Sequence, residues 1–538
     1  MGILLFLSFF CPIVISAQQF YFQSAHQLDA EEVSIVHFFG DEEALIFVNH
    51  LSELSINGDT VFNQGDYDFT PLLFDGQELG VADILNSDAY EKGIAYSIDE
   101  SQNKLYLDMA FQDSLEAFIN SADPILLSSN YGRSVATIHA NDVLNEFVVS
   151  YFHFIDSTDI KSSLFNENVI HAGRFRDSIL LENSEGEIET RYGNSENSLF
   201  ISQKDINGDL LWVNVIAAGS DVEIAALHVE DDILYMLTNQ SGGTKLRKFN
   251  AGTGVLLDDF IWEDATLVHF VKFDNKYYLS GSVDTDAQGD LDFSENEYIL
   301  PSGNGYDGVL LSYDQEMNLG WVQHISGTND SHITHFDFSD IGVLYATGSI
   351  SGESTFGPDN TLMVSNSNKE MFLAHYTAID GSFEHAEKYS GNGNSSGTHI
   401  KVIEVFENIV DIILLAEFNG QLNVNVEEEE VLFEDNYEQS DLSYIIFSLF
   451  YEDNVIISTK STFAAETSIS PVPTLDLLNI EIDKSSKVKM MELIDIYGQR
   501  VRSYSGFNSS IETNFLKSGN YILRLYTEQG IVLSLIHI

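Results

Sequence analysis

Two strand patterns alternate along residues 18–468, seven copies of each, and no other property of the chain restricts its fold as much. The first is a strand that enters an Asp/Asn/Gly turn and leaves as a second strand, often with Trp. Ser198–Trp212, Tyr306–Trp321 and Glu370–Gly381 are its clearest copies, and weaker ones begin near Tyr67, Tyr131, Thr244 and Ser440. The second is an alternating strand ending in small residues, as in Val169–Gly173, Tyr278–Ser282 and Leu344–Ser349, with weaker copies near Ala44, Leu105, Leu234 and Ile412. The segment is rich in Tyr, Phe, Val and Ile, is broken by Gly, Asn and Asp, and has no stretch of helical period, which predicts β-structure throughout.

One pair of units occupies about 62 to 72 residues, with a short repeat of about 46 between Ser198 and Thr244. Four strands in that length is the measure of a β-propeller blade, and seven is a common closure number. The chain opens on the second unit, Val33 to His50, and leaves the repeat region on the first, Ser440 to Ser458. The last hairpin and the first are therefore expected to complete one blade between them, leaving no open sheet edge. The repeats resemble the D-x-F-x-x-Y-D-x-x-G-x-x-x-W repeats of secreted bacterial seven-bladed propellers. The expected fold is all-β: a seven-bladed β-propeller over 18–468, then a small C-terminal β-sandwich. Two or three consecutive β-sandwiches would give the same strand spacing.

Charge narrows the partners. The chain has 84 acidic against 24 basic side chains, a formal charge of −60, and residues 469–538 hold seven of each sign, so the whole excess lies upstream of them. Such a surface repels nucleic acid and anionic lipid, because binding a polyphosphate depends on Lys and Arg displacing its counterions. Divalent cations and cationic partners fit it, as does a plain solubility role in a salty exterior. With 44% hydrophobic residues, 37 of them Phe and 24 Tyr, the chain is not disordered despite the charge.

Leu4 to Ile15 is apolar and leads into Ile15-Ser16-Ala17, a small-residue cleavage site, so residues 1–17 are expected to be a signal peptide, although its start lacks Lys and Arg. The stretch is too short to span a membrane. No transmembrane segment is expected in the mature chain. Cys11 is the only cysteine, and Phe10 before it rules out lipidation, so the mature chain has no disulfide and no thiol chemistry.

The sharpest candidate for ion binding is Asp284-Thr-Asp286-Ala-Gln288-Gly-Asp290-Leu-Asp292-Phe-Ser-Glu295. Its oxygen ligands at alternate positions, with Gly at the sixth and Glu at the twelfth, match a calcium-binding loop. The competing reading is a solvated acidic turn, since no helices flank it. No other cofactor is expected. His332 and His335 lie three apart, on opposite faces of a strand, which argues against a metal pair. His37-Phe38, His269-Phe270 and His335-Phe336 recur at similar repeat positions, as a packing or hydrogen-bonding element shared between blades would. Trp212, Trp262 and Trp321 are read as corresponding positions and as core. Glu427–Glu430 is a solvated charge run. The sequence has no G-x-S-x-G elbow, no H-E-x-x-H and no Walker loop, and no carboxylate pair can be nominated from 84 acidic residues. No catalytic residue is assigned.

From Ile469 the pattern changes. Pro471, Pro473 and Thr474 form a Pro-x-Pro-Thr turn, Asp495 and Gly498 sit in a hydrophobic-x-Asp-hydrophobic-x-Gly hairpin, and Leu516, Gly519 and Tyr521 make Leu-x-x-Gly-x-Tyr. In that order, over 469–538, these resemble the C-terminal sorting domain of type IX secretion cargo. Val472 and Asn520 depart from the family pattern. The resemblance implies a small β-sandwich, recognition by the type IX secretion machinery, passage through the periplasm, and a destination outside the cell or on the outer-membrane surface. The final Leu533–Ile538 replaces the usual basic tail and also translates part of a sequencing-library adapter, so the domain is expected to be cut short near Val532. The expected function is a non-catalytic binding or adhesion module for an unidentified protein or glycan. The alternatives are a propeller glycosidase or lyase acting on extracellular polysaccharide, or a structural component of a surface layer.

Overall fold

The computed structural model describes residues 160–406 with short gaps and, elsewhere between 20 and 537, chiefly the strands. The described residues are all β and fall into two compact units that divide after Asn454.

In the first unit, seven sheets each contain a four-stranded antiparallel meander among the described residues. We number them by their first strands: sheet 1 from Glu32–Phe39, sheet 2 from Glu91–Asp99, sheet 3 from Ile160–Phe165, sheet 4 from Glu223–Glu230, sheet 5 from Ala265–Phe273, sheet 6 from Ser331–Phe338 and sheet 7 from Ser395–Phe406. First strands of successive sheets from 2 to 7 touch one another, as propeller blades do around an axis. The second unit of the sequence repeat is the second strand of every sheet, and the first unit is the third strand with, in sheets 1 to 6, the fourth.

The shared sheet differs from the expected one. Sheet 7 takes three strands from residues 395–452 and its fourth, Phe20–Asp29, from the start of the repeat region, with Phe20 opposite Tyr451 and Leu28 opposite Tyr444. The hairpin from Val33 to His50 opens sheet 1 instead. The division is three strands plus one rather than two hairpins.

Packing explains the strand patterns. Second and third strands are covered on both faces, so Val343–Ile350 and Tyr306–Tyr313 are buried almost end to end and alternate large with small side chains rather than apolar with polar. The core lies in slabs between neighbouring sheets. Between sheets 5 and 6, for example, Tyr278 and Leu310 meet Ile333, Phe336, Leu344 and Phe372. Each such buried side chain contributes roughly 2 kcal/mol.

Six of the seven first strands carry a register shift at the same place: Ile35/His37, Gly93/Ala95, Ile224/Ala226, Leu267/His269, Ile333/His335 and Gly397/His399. These bulges account for the Gly of the second unit. A Cβ on Gly281 or Gly348 would run into the backbone carbonyl of Thr266 or His332. Sheet 3 has an unbroken first strand, and at Gly173 a Cβ would meet only the side chains of Phe200 and Ile160.

The second compact unit pairs Ser468–Ser470, Leu477–Glu481 and Ser510–Glu512 in one sheet and Arg500–Ser505, Val488–Asp495, Asn520–Thr527 and Gly530–His537 in another. Leu478, Ile480 and Ile511 from the first pack with Met491, Leu493, Tyr521 and Leu523 from the second, which makes a small β-sandwich. Residues Leu533 to His537 continue the last strand opposite Arg524 to Asn520.

Candidate functional site

The bulges put histidines side by side. His269, His335 and His399 each follow the shift in sheets 5, 6 and 7, and the rings form a run: His269 and His335 stack with centroids 3.8 Å apart, and His335 and His399 lie 5.2 Å apart. Sheet 1 has His37 at the same register. The sheets are not joined here by main-chain pairing. Side chains of sheet 6 satisfy the backbone of sheet 7 instead: Thr334 Oγ1 donates to Gly397 O (2.5 Å), Ile400 N–H donates to His335 Nδ1 (3.4 Å), and Val402 N–H donates to Asp337 Oδ2 (2.9 Å). Lys401 Nζ closes the row on Asp337 at 3.1 Å. In sheets 5 and 6 the recurring His is thus a packing element between sheets, and at His335 a hydrogen-bonding one as well.

Burial sets the charge state of these rings. It pushes His269 down to about 3, with repulsion from His399 adding to it, and it holds His335 well below the ordinary histidine range, with His269 and His399 adding in turn. His269 and His335 are therefore neutral at pH 7. Among the described residues no three His, Cys, Asp or Glu side chains converge as metal ligands would.

A different arrangement joins sheets 2 and 3. There His171 Nε2 meets Asp108 Oδ1 at 3.0 Å with both side chains buried. Nearby Lys204 is buried and donates from Nζ to Glu182 O at 2.7 Å. Burial outweighs the attraction of Glu182 and Asp209 and lowers its ammonium to about 7. Lys204 stands at the strand-end bulge where sheets 4, 5 and 6 have Phe249, Tyr313 and Tyr376. Comparing the repeats position by position would have singled it out.

The acidic loop has a structural counterpart in other sheets. In sheets 1, 3 and 6 the second and third strands are joined through a hairpin that pairs onto the fourth strand of the preceding sheet. These are Glu53–Ile56 with Asp59–Phe62, Ser178–Glu182 with Ile188–Tyr192, and Glu353–Phe356 with Thr361–Val364. In sheet 5 the acidic loop holds that place. Leu291 N–H donates to Tyr298 O, Leu291 is buried, and Phe293 packs 5.0 Å from Trp262 and 5.3 Å from Phe260 on the fourth strand of sheet 4. Asp290 Oδ1 accepts from the N–H groups of Asp292 and Tyr298, each at 2.9 Å, and Asp284 Oδ1 accepts from Asp286 N–H at 3.0 Å. Asp286 is exposed, and Gln288 and Glu295 lie outside the described residues.

The tryptophans do not all correspond. Trp212 and Trp321 do, each opposite the residue before the strand-end bulge and each against a turn glycine of the next sheet, Gly254 and Gly381. Trp262 pairs with Thr244 at the other end of its strand, is fully buried, and donates to the Tyr313 hydroxyl at 2.8 Å.

In the second unit Tyr521 is buried opposite Asp495, and Leu516 packs on the same core. Pro471, Pro473, Thr474, Gly498 and Gly519 lie outside the described residues.

Comparison with known proteins bears on this unit most. Residues 468–537 match the secretion system C-terminal sorting domain family. The chain matches no curated protein. Among solved structures it is similar to PorZ of Porphyromonas gingivalis, described as a surface component of the type IX secretion system, at 9% identity and TM-score 0.26, covering 93% of this chain and 80% of that one. It is also similar to the Dos1 propeller, at 11% identity and TM-score 0.33 over 84% and 93%. The WD40 domain of Toxoplasma gondii coronin gives 8% identity and TM-score 0.31 over 70% and 86%. Scores this low carry no argument about function. The sorting-domain match carries one, and by it this chain is cargo of type IX secretion, exported to the cell surface or beyond.

Proposed function

We propose that the exported protein is a non-catalytic binding or adhesion module, with residues 18–468 as a recognition propeller and 469–538 as its address. One observation carries this reading: His335 of the His332/His335 pair and Asp290 of the acidic loop are spent on structure. His335 accepts from the backbone of sheet 7, and Asp290 caps its own turn. The surface left for function is loops and strand edges, which suits recognition of a protein or glycan. Incubating the purified full chain with arrayed glycans and whole cells tests it. Saturable binding without product release is expected, and release of reducing ends or unsaturated sugars would assign the polysaccharide-acting enzyme instead.

Calcium at Asp284, Asp286, Gln288, Asp290, Asp292 and Glu295 is proposed on the spacing alone. A ligand of the folded state raises the unfolding midpoint. A calcium-specific rise that Asp286→Ala removes would establish the site, whereas no rise would leave the loop its covering role over Trp262.

A further inference from the structure

The described surface and core offer three strong clusters: the buried Lys204, the His171–Asp108 pair, and the run of histidines along three first strands. Only the last combines several titratable groups with a seam between separate sheets. We propose that the His269–His335–His399 run is a proton-operated latch, in which proton uptake parts the first strands of sheets 5, 6 and 7 while the rest of the fold holds.

Hydrogen-bond polarity is the first reason. His335 Nδ1 accepts from Ile400 N–H, which only a neutral ring can do. An imidazolium would present a second donor there, and the contact across sheets 6 and 7 would turn from attraction to a clash of two N–H groups. Spacing is the second. Two rings with centroids 3.8 Å apart leave no layer of water between them, so charging both places like charges in contact. The third is the lack of a compensating anion for His269 and His335 among the described neighbours. On sheet 4 His228 faces Phe270 beside His269, and Glu230 is paired with Lys272 of sheet 5 at 3.1 Å. On sheet 6 Asp337 is engaged by Lys401 and Val402 N–H, and His332 is itself held below its ordinary range by burial. On sheet 7 Lys401 adds repulsion to both rings.

The sign follows from linkage. A histidine whose folded value is depressed stabilises the closed seam above its unfolded value of about 6.5 and loses that contribution as pH falls toward the folded value. Between pH 7.5 and 5.5 the opening equilibrium should rise about tenfold for each ring freed, hence about a hundredfold for two.

Hydrogen exchange of the full chain at those two pH values, normalised for the intrinsic rate, tests the latch. Faster exchange confined to peptides from 265–273, 331–338 and 395–406 is expected, with the first strand of sheet 3, 160–165, unchanged. His335→Gln, which keeps an untitratable acceptor, should cut the pH response to about tenfold. The double change His269→Phe with His335→Phe keeps two stacked rings and should abolish it. An equal rise in sheet 3, or an undiminished response in His335→Gln, would overturn the proposal, and the glutamine variant decides the matter even if the double variant does not fold.

Discussion

Sheets 2 and 3 and sheets 5 to 7 solve one problem in opposite ways. Both must bring first and second strands of adjacent sheets together without main-chain pairing. Between sheets 2 and 3 the polar groups are of unlike kind, His171 against Asp108 and the Lys204 ammonium against a carbonyl. Along sheets 5 to 7 they are alike, a histidine against a histidine against a histidine. Unlike partners tolerate charge but not the loss of one member. Like partners tolerate replacement by any flat apolar ring but not charge. The first strand does not follow the same division: it is unbroken in sheet 3 but bulged in sheet 2 as in sheets 5 to 7.

The strongest challenge to this contrast is to remove one partner on each side. His171→Leu leaves the Asp108 carboxylate buried without its histidine and should cost about 3–5 kcal/mol, whereas His335→Phe keeps the stack and should cost about 1 kcal/mol at pH 7.5. Denaturant unfolding at that pH measures both, and equal losses would erase the distinction. Next in size is the glycine test of the bulge. Gly348→Ala forces a methyl into the His332 carbonyl and should cost about 3 kcal/mol, against about 1–2 kcal/mol for Gly173→Ala, where side chains can give way.

A third test separates the two regions by pH. The Lys204 ammonium is lowered from 10.5 to about 7, so between those values the unfolded chain holds a proton that the folded chain has released. Its penalty is full below pH 7 and fades as pH rises. Lys204→Met should therefore raise the unfolding midpoint more at pH 7 than at pH 10, and an equal shift at both would show that the lysine titrates normally. The smallest effect tests the turns that frame the third strands. Asp314 Oδ1 accepts from Asn318 N–H at 2.8 Å, as Asp205 Oδ1 does from Asp209 N–H at 2.8 Å, and Asp314→Ala should cost about 1 kcal/mol by the same measurement.

Much of the fold was legible because its repeats are written in turn chemistry. In sheets 1 to 6 the Asp/Asn/Gly turn joins a third strand to a fourth, and outside sheet 3 the small-residue ending marks a second strand facing a bulge. The strand Phe20–Asp29 was not recognised because it belongs to no repeat in its own part of the chain; its long antiparallel partner comes more than four hundred residues later. His399 escaped because Ile400, not Phe, follows it, and Trp262 was misaligned because residue type was matched before register. The acidic loop was read for its oxygen ligands and not as a cover. The signal was the apolar pair Leu291 and Phe293 within it, which sequence periodicity cannot assign to a neighbouring sheet. In the second unit Tyr521 and Leu516, read as motif members, also pack in the core of the sandwich.

The three-plus-one sheet also sets an order of events. Strand Phe20–Asp29 is made first, yet its long antiparallel partner Ser443–Glu452 is among the last parts of the repeat region to be made. Until that partner arrives the early strand has an unpaired edge, and joining the two closes a chain loop whose entropy must be met in a single step. Completion of sheet 7 should therefore be the slow phase of folding, with the other six sheets able to form before it.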